Sequence, residues 1–122
     1  MKSNEHKYLD ICGNRPLLAA AIVIEDKIIT GQTHAQAILK AETAGLITID
    51  EYGHIEQVAE GSDALDLFLT KEGKLVNRLE AIVSSSEKAD ELALMATNSQ
   101  AYVWGKEELF DYIHNEKQNC CP

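Results

Sequence analysis

Twice along this chain a hairpin runs without a spacer into a helix start that carries its own cap, and that arrangement restricts the fold more than any other feature. In the first instance residues 18–25 and 28–30 read as strands flanking the two-residue turn Asp26-Lys27. Thr33 with Gln36 then supplies a T-x-x-Q capping box for a helix over residues 34–44, which Gly45 stops. In the second instance residues 64–70 and 74–76 flank a turn at Gly73, and Asn77 with Glu80 caps a helix that begins at Arg78. Strands joined by turns this short run antiparallel. The expected fold is therefore α+β: an antiparallel sheet built from hairpins with two main helices on one face. Such a sheet leaves its other face open to a second copy, so a homo-oligomer is expected.

The run Pro16-Leu17-Leu18-Ala19-Ala20-Ala21-Ile22-Val23-Ile24 is too short to span a bilayer and reads as a buried strand at the centre of the core. Further on, residues 46–49 predict a short strand and residues 50–54 a turn, while residues 55–60 fit either a strand or a turn of helix. Leu79, Ile82 and Val83 begin a helical stripe that Ala89, Ala93 and Ala96 continue, with a break expected at Ser84-Ser85-Ser86 because hydroxyls compete for backbone hydrogen bonds. Residues 101–104 predict a last strand and residues 106–115 a short amphipathic helix. The whole of residues 1–122 reads as one domain with an ordered core over 11–115, and residues 1–10 and 116–122 are expected to be loose.

Charge narrows the function classes. Eleven basic and twenty acidic residues give a net charge of -9, and Arg15 and Arg78 are the two arginines. A surface of this sign repels polymeric nucleic acid, whose binding depends on many Lys and Arg neutralising phosphates. A small anion held in one local site stays open. Cys12, Cys120 and Cys121 lack C-x-x-C spacing, so neither a disulfide framework nor a zinc site is indicated, and a reducing cytoplasm fits. No metal and no cofactor is expected.

Two stretches offer binding chemistry. Thr30-Gly31-Gln32-Thr33-His34 sets hydroxyl, amide and imidazole groups around the positive end of a helix, suited to a phosphate or ribose or, more plainly, to capping alone. Lys74, Asn77 and Arg78 place three polar groups within five residues at the second helix start. A cation there opposes the helix dipole, a conflict that a bound anion would remove; the plainer alternative pairs Arg78 with Glu72 or Glu80 on the surface. Phe68, Tyr102, Trp104, Phe110 and Tyr112 are the aromatics that could stack on a base, although with so few aromatic residues most belong in a core. His6, His34, His54 and His114 are scattered, and neither G-x-S-x-G, H-E-x-x-H, a P-loop nor G-x-G-x-x-G occurs, so the reading is non-enzymatic.

Taken together, the segments Ala20-Ala21-Ile22-Val23-Ile24, Thr30-Gly31-Gln32-Thr33-His34 and Ile38, with Phe68-Leu69-Thr70 and Gly73-Lys74-Leu75-Val76-Asn77-Arg78 followed by Glu80-Ala81, resemble a family of small phage proteins, the type-one Thoeris anti-defence family. The likeness runs loosely over residues 18–115. Its anchors are a T-G-x-x-H turn and a G-[R/K]-aromatic-V-[N/D]-R-x-E-A block. The resemblance implies a sponge in the cytoplasm of an infected bacterium, one that sequesters cyclic ADP-ribose-type immune signals without cleaving them. It also implies homo-oligomers of dimer units, up to a hexamer, with ligand pockets at subunit boundaries and a separate site for cyclic oligonucleotides. On that footing Arg78 and first-turn amides hold the diphosphate, and Asn77 and Lys74 hold ribose hydroxyls or phosphate. Thr33 with His34 lines the opposing subunit or wall, and Gln32, Leu75 and Phe68 complete the ligand-binding candidates. Lys74 stands where the pattern has arginine and Leu75 where it has an aromatic, which weakens bidentate phosphate contact and removes a stacking surface. The competing reading is an acidic protein-interaction or inhibitor module, a nucleic-acid mimic, motivated by the charge of -9.

Overall fold

The computed structural model describes residues 9, 11, 17–58, 63–81 and 100–120, the side chains of 78, 81, 119 and 120 excepted. Its first hairpin joins β1 (Leu17–Ile24) to β2 (Lys27–Gly31), with Ile24 opposite Lys27, so the turn is Glu25-Asp26, one residue earlier than the sequence predicts. Glu25 takes a φ of 53° there. A side chain bearing a Cβ is strained in the left-handed region, and asparagine tolerates it best among non-glycine residues. Glu25→Asn is therefore expected to stabilise the fold by about 0.5 kcal/mol, seen as a rise of roughly 2 °C in thermal melting.

The remaining strands follow from the same local signals. The helix α1 (His34–Thr43) starts at the cap Thr33, whose Oγ1 accepts from the Gln36 N–H at 3.0 Å. It ends where Gly45 takes a φ of 80°, the Gly45 N–H donating to the Glu42 carbonyl and the Leu46 N–H to the Ala41 carbonyl, both at 3.0 Å. These two bonds make a Schellman closure. The strands β3 (Ile47–Ile49) and β4 (Ile55–Val58) pair with each other as a separate two-stranded sheet, which resolves the segment that the sequence left between strand and helix in favour of strand. Next come β5 (Ala64–Thr70) and β6 (Leu75–Val76), closed by a turn in which Gly73 has a φ of 87°. The helix α2 (Arg78–Ala81), the strand β7 (Tyr102–Gly105) and the helix α3 (Lys106–Cys120) complete the described elements. The expected stripe and its serine break between residues 82 and 96 lie outside the described residues.

All pairings in the main sheet are antiparallel, in the order β6-β5-β1-β2-β7, which puts β1 at the centre. Every residue of β1 is buried. Alternation along a strand sends Ala19, Ala21 and Val23 to one face, where they meet Ile28, Leu69, Trp104 and, from α3, Leu109 and Ile113. Ile22 and Ile24 point to the other face and meet Ile29 and, from α1, Ala37 and Ala41. The two long described helices, α1 and α3, thus lie on opposite faces of the sheet, while the second of the two main helices that the sequence reading sets on one face starts at α2 and runs on outside the described residues. The physical reason is in β1 and β2 themselves: Ile28 and Ile29 are both fully buried, and a strand apolar on both sides needs cover on both. The open sheet face on which the expectation of self-association rested is occupied by α3.

Two further boundaries differ. Leu9, expected in a loose segment, is buried in the core beside Ile11. The helix α3 continues to Cys120, five residues past its predicted end, and the His114 and Gln118 side chains, one turn apart on it, approach to 3.0 Å. Polar composition suggested a loose tail, but a stretch lacking Gly and Pro carries no stop signal. Among the described residues no helix is long and apolar enough to cross a membrane.

The β3–β4 turn carries a pH-dependent element. Asp50 Oδ1 accepts from the Tyr52 N–H at 2.9 Å and the His54 N–H at 3.0 Å. Its carboxyl is held below the usual carboxylate range, chiefly by the bond from the His54 backbone, with the Tyr52 N–H adding to it. A carboxylate whose folded value is depressed contributes its stabilisation above the unfolded value and loses it as pH falls through the folded one. Amide exchange at Tyr52 and His54 is therefore expected to be protected at neutral pH and to lose protection on acidification below the ordinary carboxylate range. In Asp50→Ala the acid-dependent loss should vanish, because the protection is already absent.

Candidate functional site

The helix α1 docks onto the sheet through its first residue. The His34 ring donates from Nε2 to the Leu67 carbonyl at 2.7 Å, and the ring meets Phe68 edge-on with centroids 4.8 Å apart. A carbonyl can only accept, so the proton sits on Nε2 in this contact. Both partners belong to β5, which lies on the far side of β1 from the β2 strand that leads into α1. Gly31 permits the tight entry: a Cβ there would stand 3.0 Å from Gln36 Oε1, 3.1 Å from the Ala37 nitrogen and 3.2 Å from the Thr33 oxygen.

Phe68 is also the link to the second stretch. It pairs with Val76 across β5 and β6, and the two pack together with Leu17 and Ala20. Asn77 follows Val76 directly. The turn at residues 31–34 and the cap at residue 77 therefore both connect to Phe68, the first through the His34 ring and the second through the strand pair. Phe68 itself is 1% exposed, so it is a core residue and not a stacking surface for a base.

The other proposed residues divide. Leu75 pairs with Leu69 and packs into the α3-side cluster, on the opposite face from Phe68 and His34, so it is not brought together with them. Lys74 lies at the end of the turn with an exposed side chain, its backbone N–H donating to Thr70 Oγ1 at 3.0 Å and its carbonyl accepting from the Thr70 N–H at 2.8 Å. Arg78 opens α2, and its side chain lies outside the described part of the molecule. Thr33 and Asn77 spend an acceptor on their own helices. The Glu80 N–H donates to Asn77 Oδ1 at 2.8 Å while the Asn77 N–H donates to Glu80 Oε1 at 2.9 Å, the reciprocal box that the sequence predicts. At α1 the return bond slips by one residue, from the Gln32 N–H to Gln36 Oε1 at 2.6 Å.

Half of a third box, the return bond alone, is missed by the sequence reading. The Gly105 N–H donates to Glu108 Oε1 at 3.1 Å at the start of α3. A glycine gives no side-chain cap to notice, but the glutamate three residues on was a usable signal. Comparing the three described starts separates them electrostatically: α2 has Glu80 in its first turn and α3 has Glu107 and Glu108, whereas α1 has no acidic residue there. Of the three, only the α1 start presents first-turn amides without a carboxylate in its own first turn.

Trp104, weighed as a stacking platform, is a core residue, 6% exposed, with Nε1 donating to the buried Thr30 Oγ1 at 2.9 Å. Phe110 and Tyr112 pack against the same cluster. Three open hollows among the described residues sit beside β3 and β4, along β7, and between Asp26 and the α3 start; none is lined by the eight proposed site residues. No group of three His, Cys, Asp or Glu side chains that could hold a metal ion occurs among the described residues. No protein-family model, curated protein or solved structure matches the chain.

Proposed function

We propose that this chain is a non-catalytic binder that sequesters a cyclic ADP-ribose-type nucleotide in the cytoplasm of an infected bacterium, acting as a phage anti-defence sponge. The observation that carries the reading is the α1 start: its first residue is pinned to β5 through His34, and its first turn lacks the carboxylate that the other two starts contain. The likeness of the Thr30–His34 turn and the Gly73–Ala81 block to the Thoeris anti-defence pattern supports it from the sequence side.

In this reading the ligand's phosphates meet the amides of the α1 start and the guanidinium of Arg78. Gln32, Thr33 and His34 form one wall, and Asn77 and Lys74 contact ribose hydroxyls or phosphate. Sequestration calls for tight, slowly released binding in a formed pocket and for no activated nucleophile. The subunits assemble as dimers, up to a hexamer, and complete the pocket at their boundary, with a second site for cyclic oligonucleotides as part of the same proposal. Leu75, on the other face of the sheet, supports that face's packing and drops out of the ligand set.

Titration calorimetry with cyclic ADP-ribose and its glycosidic isomers, followed by heat denaturation and recovery of the nucleotide, tests this reading. Expected are heat of binding and an intact ligand on release. Cleaved nucleotide would make the protein an enzyme, and no heat with any isomer would remove the proposal. The acidic-mimic reading, which rests on the charge of -9, instead requires a basic protein partner whose capture falls steeply as salt rises.

A further inference from the structure

We draw no further inference here: the strongest candidate, the outer edge of β7 with the hollow lined by Tyr102, Val103, Trp104 and Glu108, carries nothing because nothing in the structure shows what covers it.

Discussion

Replacing Arg78 with alanine is expected to weaken binding of the cyclic nucleotide by roughly a hundredfold while moving the melting temperature by no more than a few degrees. Two charge-assisted hydrogen bonds to phosphate, each contributing about 1.5 kcal/mol or more, correspond to that loss. The small effect on folding follows from position. Arg78 is the first residue of α2, where a cation faces the positive end of the helix at a penalty of about 0.3–1 kcal/mol, so its removal relieves a conflict. Arg78→Lys keeps the charge but not the planar fork and should recover binding only in part. Calorimetry beside thermal melting separates the two roles: a variant that melts far below the parent yet still binds would make Arg78 a packing residue.

What could be read from the chain was local chemistry. Gly45 and Gly73 adopt the positive φ that their turn positions predict, and Thr33 and Asn77 cap their helices through the expected atoms. These devices act within four residues, and a linear pattern contains them whole. The placement of α3 was less legible, because the helix is short of apolar residues and its cap is a glycine. Its cover on the second face was nonetheless implied by Leu17–Ile24, where all eight residues are apolar and alternation is absent. The candidate site mixed both cases. Nothing near His34 in sequence announces that its ring reaches a carbonyl 33 residues away, since that contact exists only once β5 has paired with β1. The motif groups Leu75 with its sequence neighbours, whereas strand alternation turns it to the opposite face of the sheet from Phe68 and Val76.

Gln36→Glu is the substitution for which folding and binding are expected to move in opposite directions. The glutamine side chain already reaches back to the Gln32 N–H, and a glutamate of the same length keeps that acceptor and adds a negative charge beside the positive end of α1. Charge at that position stabilises a helix by about 0.3–1 kcal/mol, so the variant should melt slightly above the parent. It also makes the α1 start resemble those of α2 and α3, each occupied by its own glutamate. A phosphate approaching the same amides would then meet a carboxylate, and a like charge about 5–10 Å away at an effective dielectric near 20 costs about 2–3 kcal/mol before salt screening. With salt screening the expected loss of affinity is roughly tenfold or more at physiological ionic strength, shrinking as salt is raised. Unchanged affinity in a variant that folds as well as the parent would move the anion away from α1, and combining the substitution with Arg78→Ala would show whether the two helix starts hold one ligand. Losses that fail to add mean a shared phosphate, and losses that add mean separate contacts.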